Sequence, residues 1–235
     1  MAEHCARLWV QAAPVRLTLV GRDEARTNSV VMDLRVRNPQ SHIQMLISDF
    51  VNALAIQQTV NTIVAQSPVD VVLIAHGVLS NQVNCQDDVL TCDAALQING
   101  VSPVLFAEAF AKPMVAVNHG TIAIIGSVAG DRGRKANYVY GSAKGLVSRY
   151  AQGMQHRLAH TAVKVVLIKP GPTDTPMTSE LKAKGKKMAS VEQVALDILK
   201  GIAAGRPVVY TPSIWKIIML VVIHLPYVIY NKLNI

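Results

Sequence analysis

Three runs constrain this chain most: "DVVLIAHG" at residues 70–77, "GTIAIIGS" at 120–127 and "VKVVLIKPG" at 163–171. Each has the length of a strand and is apolar at consecutive positions rather than alternate ones. Strands of that kind are covered on both faces, so they predict a buried, mainly parallel sheet between helices. Two shorter runs, "RLTLVG" (16–21) and "HIQMLIS" (42–48), extend the set of strands.

The stretches between them have helical character. "AEHCARLWVQAA" spaces Ala6, Leu8, Trp9 and Ala12 at near-helical intervals, and "RDEARTNSVVMDLRVRN" opens with Asp23 and Glu24, favourable in a first turn. "ALAIQQTVNTIVAQ" (53–66), a long region from about Gln86 to Met114, and "YVYGSAKGLVSRYAQGMQHRLAH" (138–160) complete the helices. Gly100 and Pro103 predict a break near the middle of the long one. Strands separated by helical segments imply right-handed crossovers, hence a doubly wound α/β domain whose ligands bind beyond the carboxyl ends of its strands.

At 235 residues, one large domain over 1–212 and a tail over 213–235 are expected. Hydrophobic residues make up 51% and aromatics 5%, so Val, Ile, Leu and Ala must build the core. Cys5, Cys85 and Cys92 are odd in number and lack CxxC spacing, which argues against a disulfide framework or a zinc knuckle. The formal charge is +8, and residues 178–235 carry eight Lys or Arg against three acids. Such a balance suits anionic lipid or a phosphorylated substrate as well as plain solubility; no nucleic-acid partner and no metal are expected. His156 and His160 lie four apart, but "HRLAH" lacks the glutamate of HExxH and reads as a solvated helix face.

Catalytic chemistry is concentrated in "ANYVYGSAKG" (136–145). Positions four apart share a helix face, so Tyr140 and Lys144 point the same way, whereas Tyr138 is out of register with the lysine. An ammonium beside a phenol favours the phenolate, so a lowered Tyr140 pKa is expected. Ser127 ends a strand thirteen residues earlier, where its hydroxyl could hydrogen-bond a carbonyl or alcohol oxygen.

A lone YxxxK is weak, but "IIGSVAG", "YGSAK" and "KPGPTDTPM" in this order are specific, and with them the sequence resembles the short-chain dehydrogenase/reductase family over almost its full length. The resemblance implies a Rossmann sheet and reduction of a ketone, or oxidation of an alcohol, with a nicotinamide cofactor. It assigns Tyr140 as general acid/base, Ser127 as the group polarising the substrate oxygen, Lys144 as phenolate stabiliser and ribose ligand, and Asn99 of "QINGVSP" as holder of a proton-relay water. Ala75, His76 and Gly77 take the place of the family's NAG, with His for Asn. Asp49 and Phe50 fall where an acid and an apolar residue meet adenine, and Pro170, Gly171, Thr173 and Thr175 form the loop beside the nicotinamide. Arg22 occupies a position where the family prefers Arg for NADP(H), so NADP(H) is favoured over NAD(H), although Asp23 adjoins it; an exposed first-turn residue is the plain reading.

The family normally opens with a strand and TGxxxGxG, whose amides hold the pyrophosphate. Here Gly21 is the sole glycine before Gly77, and "MAEHCARLWV" matches the helix that should follow that turn. Loss of this central strand leaves its neighbours' edges unpaired and weakens cofactor binding. A truncated or mis-started version of an active enzyme is favoured over a degenerate, noncatalytic relative acting as a membrane-associated interaction module, because Ser127, Tyr140, Lys144 and Asn99 are all kept.

In the tail, residues 214–233 mix Trp215, Tyr227 and Tyr230 with Lys216 and Lys232. The apolar run is too short to span a bilayer. It suits peripheral contact with a headgroup boundary, or an arm over the pocket or a subunit partner. Lys182, Lys184, Lys186 and Lys187 suit either a substrate phosphate or a solvated lid. Tail and "VVYTP" together resemble a membrane-associated branch of the family similar to reductases of polyprenyl-phosphate keto-sugars, which implies a lipid-linked carbonyl substrate at the inner face of the cell membrane. A cytoplasmic location and a homodimer or homotetramer complete the expectation.

Overall fold

Apolar runs and capped helices alternate as their patterns dictate in the computed structural model, which describes residues 1–183, 185 and 187–233. The first half runs α1 (Ala2–Ala12), β1 (Arg16–Gly21), α2 (Glu24–Arg37), β2 (His42–Ile47), α3 (Ala53–Val64), β3 (Val71–Ile74), α4 (Gln82–Asp87) and α5 (Val89–Leu96). A π-helical turn, Gln97–Val101, joins α5 to α6 (Ser102–Ala116). Then come β4 (Thr121–Ile125), a 3₁₀ turn Val128–Gly130, α7 (Tyr138–Arg157) and β5 (Lys164–Pro170). The last part holds a 3₁₀ turn Pro176–Thr178, α8 (Ser179–Ala183), α9 (Val191–Ala203), β6 (Val208–Thr211), α10 (Ile214–His224) and α11 (Tyr227–Tyr230). Asp23, Asn52, Asn81, Asp88 and Ser190 cap their helices by accepting from backbone amides of the first turn.

All strand pairs are parallel. They form two sheets, β1 with β2 and β3-β4-β5-β6 in that order. Among the described residues no strand bridges β1 to β3, so the edges flanking the expected first strand lack a ladder partner. The two sheets still share one core: Val20 of β1 packs against the cluster that holds Val72 and Ile74 of β3.

The period-two geometry of a strand divides β4 and β5 between two cores. Ile122, Ile124, Val165 and Leu167 meet α3, α6 and α7 on one face, while Ala123, Ile125, Val166 and Ile168 meet α9 and Cys5 of α1 on the other. A third cluster packs Ala6 and Val10 with Val31, Leu34 and Ile43. The result is the three-layer, doubly wound α/β architecture expected from the apolar runs, with the carboxyl ends of β3, β4 and β5 at one rim.

Two details differ from the sequence reading. The long helix is not broken at Gly100 but widened: the amide of Ser102 donates to the Gln97 carbonyl, five residues back. A true break comes earlier, where Asp88 caps α5. In addition α9 and β6, absent from the sequence reading, complete the second layer and the sheet edge.

Candidate active site

Ser127 follows β4 and caps the Val128–Gly130 turn, its Oγ accepting from Ala129 N at 3.1 Å. Glycines let this turn lie directly on α7. A Cβ on Gly130 would stand 2.6 Å from the Lys144 carbonyl, and one on Gly141 would stand 2.9 Å from the Ala129 carbonyl. Gln82 fixes the start of the same helix by accepting from Val139 N at 3.0 Å. That contact brings Tyr140 and Lys144 to the Ser127 turn.

Lys144 is 3% exposed. Its Nζ donates to the Ile125 carbonyl at 3.1 Å and lies 5.9 Å from the centre of the Tyr140 ring. Burial pushes its pKa down to about 8, since a charge in a dry site lacks its hydration. Tyr140 moves against expectation. Its pKa is raised, because burial outweighs the neighbouring Ser127 hydroxyl, which lowers it. Spacing along the helix reveals the nearby ammonium but not the desolvation of the phenolate, which is the larger effect.

Asn99 is fully buried in the π-helical turn, where Nδ2 donates to the Ala95 carbonyl at 2.9 Å and Oδ1 accepts from Val78 N at 2.8 Å. It therefore ties the α5–α6 junction to the chain just past Gly77. A Cβ on Gly77 would lie 2.8 Å from Asn99 Oδ1 and 3.6 Å from Lys144 Nζ, so only glycine allows this approach. Ala75 precedes it, half-buried.

His76 and Phe50 belong to an aromatic floor. Their ring centres are 4.7 Å apart, and each packs edge-on to Phe106. His76 Nε2 pairs with Ser102 Oγ at 2.8 Å, and burial, then the positive charges of Lys144 and Arg22, lower its pKa to about 3. The imidazole is neutral. Phe50, 6% exposed, is held in this floor rather than presenting a free ring, while Asp49 is exposed and caps Val51 N at 2.9 Å. Arg22 is exposed at the end of β1, close enough to act on His76.

At the end of β5, Pro170 and Gly171 are buried, and Thr173 Oγ1 donates to the Gly171 carbonyl at 3.0 Å. Thr175 meets Thr178, hydroxyl to hydroxyl, at 3.2 Å. A cavity of about 650 Å³ opens beside them, lined by Asp174, Thr175, Pro176, Ser179, Lys182 and Ala183. Lys182 pairs with Asp174 across it. Lys184 and Lys186 lie outside the described residues.

The structure thus brings Ser127, Tyr140, Lys144, Asn99 and Gly77 together and sets Asp49 and Arg22 further along the same rim. Sequence reasoning missed two parts: the glycine contacts under Ser127, for which "YGSAKG" was a signal, and the His76–Ser102 pair; Trp215, named there in a tail that could cover the pocket, rests its indole on Gly171.

A nicotinamide dinucleotide fits these residues in part. Gly77 lets the backbone pass close to Asn99 and Lys144, and Lys144 is the cation on this rim that would meet the ribose of the nicotinamide half. No glycine-rich turn for the pyrophosphate occurs among the described residues, and the space at Gly21 is taken by the Thr27 side chain.

Comparison with known proteins bears on the fold and the family. An uncharacterised oxidoreductase from the mprA 5′ region of Streptomyces coelicolor is 28% identical over 177 residues, 75% of this chain and 70% of its own length. Another, from Mycobacterium tuberculosis, is 30% identical over 145 residues, 62% of this chain and 58% of the relative. A short-chain dehydrogenase from Sphingobium yanoikuyae in complex with NADPH superposes with a TM-score of 0.81 at 19% identity, covering 92% of this chain and 86% of that one. A bulky-bulky ketone specific alcohol dehydrogenase from Comamonas testosteroni gives 0.79 at 18% identity, with 98% and 89% covered. Because residues 2–186 match the short chain dehydrogenase family model, the chain belongs to that family of oxidoreductases.

Proposed function

We propose that the protein interconverts a ketone and a secondary alcohol with a nicotinamide cofactor, which supplies or accepts the hydride when bound. The observation that carries this reading is the convergence of Ser127, Tyr140 and Lys144 at the strand rim. In the reducing direction Ser127 donates a hydrogen bond to the carbonyl oxygen and holds it beside Tyr140. Tyr140 gives its proton to that oxygen as the carbon accepts the hydride. Lys144 stabilises the phenolate left behind and would bind the nicotinamide ribose. Asn99 fixes the backbone around Gly77, and Pro170, Gly171, Thr173 and Thr175 would flank the nicotinamide.

NADP(H) is the proposed form, because the exposed Arg22 guanidinium suits a 2′-phosphate. The NADPH carried by the Sphingobium enzyme is in line with this. For substrate, a lipid-linked keto-sugar is the favoured candidate: Lys182 offers a cation at the cavity mouth, and α10–α11 offer exposed apolar side chains to a bilayer. The protein would then act in the cytoplasm, peripheral on the membrane. Exposed Val89 and Leu90 on α5 and Leu146 on α7 suit a homodimer or homotetramer. The noncatalytic reading is disfavoured by family membership and by the joint burial of Lys144 and Asn99.

The test measures NADPH and NADH binding and then turnover on soluble ketones and polyprenyl-phosphate keto-sugars. Reduction that depends on Tyr140 supports the proposal. Turnover equal in Tyr140→Phe, or no binding of either dinucleotide, overturns it.

A further inference from the structure

The turn that carries Ser127 is gripped from two sides by the residues that follow it. The side chains of Asp131 and Lys169 are 3% and 8% exposed and form an ion pair, and Tyr210 of β6 donates to the second Asp131 oxygen at 2.9 Å. Lys169 immediately precedes Pro170 and Gly171. The carboxylate therefore joins the Ser127 turn to the loop assigned above to the nicotinamide. Burying such a pair costs desolvation that its attraction barely repays, so its consequence is a fixed arrangement rather than extra stability.

Arg132 takes the second grip. Its Nη1 donates to the carbonyls of Val222, Ile223 and Leu225 at 2.6, 3.1 and 2.8 Å, satisfying the end of α10. Its guanidinium stacks 3.7 Å from the centre of the Tyr230 ring, and Tyr230 Oη donates to the Gly133 carbonyl at 2.6 Å. At the other end of α10, the Trp215 indole covers Gly171 so closely that a Cβ there would stand 2.0 Å from Nε1. The links close a ring: Ser127 turn, Asp131, Lys169, Gly171, Trp215, α10, Arg132, and back to the turn.

We propose that Asp131 and Arg132 are positioning residues that set the gap between Ser127 and Gly171, which makes α10–α11 a working part of the active site. This rests on the oxidoreductase reading above. The arrangement fixes where the substrate oxygen is held relative to the nicotinamide without touching either. Loosening one grip shifts Ser127 and α10 together.

The test uses the full chain with Arg132→Ala, Arg132→Lys and the apolar pair Asp131→Leu with Lys169→Met, chosen to keep buried volume while deleting the ion pair. Amide hydrogen exchange is followed at 127–134 and 214–225. In Arg132→Ala both segments are expected to exchange at least about tenfold faster while β4 and α7 keep their parent rates. Under saturating cofactor, kcat falls about tenfold or more and KM for the dinucleotide stays within about twofold. Arg132→Lys recovers part of both effects, and the apolar pair, combined with Tyr210→Phe to remove the hydroxyl left without its acceptor, shows the kcat loss with an unchanged thermal midpoint. Faster exchange confined to one segment, or unchanged kcat with both segments loosened, overturns the proposal. Exchange is read without substrate, so an inert parent enzyme would count against the reaction and leave the coupling still decided by exchange.

Discussion

Lys144 is buried and Tyr140 half-buried, and the water they lose makes the site's acid–base behaviour depend on pH in a defined direction. With the Tyr140 pKa raised, the phenol keeps its proton through neutral pH. Ketone reduction should hold level from about pH 6 to 8 while alcohol oxidation, which needs the phenolate, climbs with pH. Tyr140→Phe should cut turnover by about 10²- to 10⁴-fold in either direction, measured at saturating substrate. Lys144 gives a separate stability signal. Its folded pKa of about 8 lies below the ordinary lysine value of 10.5, so between these values the native state has released a proton that the unfolded chain retains. Stability therefore rises with pH across that window by up to about 3 kcal/mol relative to Lys144→Met, and the charged lysine is a cost below it. Denaturant titrations of both proteins at pH 7 and 10 check the sign; a parent stability that falls relative to Lys144→Met on going from pH 7 to 10 contradicts it. The shared face of Tyr140 and Lys144 was legible from their spacing. The pKa direction was not, because spacing records neighbours and carries no measure of how much water is lost.

Between elements, the decisive contacts are made by atoms that sequence patterns do not weigh. Helices and strands followed from apolar periodicity, yet the position of Ser127 depends on Gly130 and Gly141, where a missing Cβ lets backbone meet backbone. Gly130→Ala would drive a methyl group to 2.6 Å from the Lys144 carbonyl, which must be relieved by lifting the turn from α7. A loss of about 1–3 kcal/mol and a lower kcat are expected from thermal melts and rate measurements. The same substitution at Gly133, whose Cβ would meet nothing within 4 Å, serves as the control. The π-helical turn was likewise illegible: Gly100 and Pro103 announce an irregularity, but the Asn99 amide on the Ala95 carbonyl shows how it is accommodated. His76 adds an element-scale prediction. Its pKa of about 3 is far below the usual 6.5, so the unfolded chain gains a proton first on acidification, and His76→Asn should lose less stability than the parent between pH 6.5 and 4.

Across the molecule, the unpaired edges of β1 and β3 match what the sequence led one to expect of a doubly wound sheet lacking its central strand. β6 escaped notice because four residues ahead of a proline carry too little periodicity. The tail was legible as apolar and basic, but its anchoring was not, since Arg132 lies some ninety residues away from the carbonyls it holds. That anchoring decides which side of α10 is free. With Met219 buried, Ile217, Leu220 and Val221 are 62%, 60% and 57% exposed on one face, followed by Tyr227 and Val228 at 74% and 70%. Lys216 and Lys232 flank this face, each worth about 1 kcal/mol beside an anionic surface. The full chain should therefore sediment with vesicles containing phosphatidylglycerol and do so less as salt rises and the charges are screened. Leu220→Glu with Val221→Glu should abolish sedimentation and leave the thermal midpoint unchanged, because neither side chain supports the core. Equal sedimentation of the variant would count against a membrane role, and a parent dimer that the variant converts to monomer would assign the face to a second subunit instead.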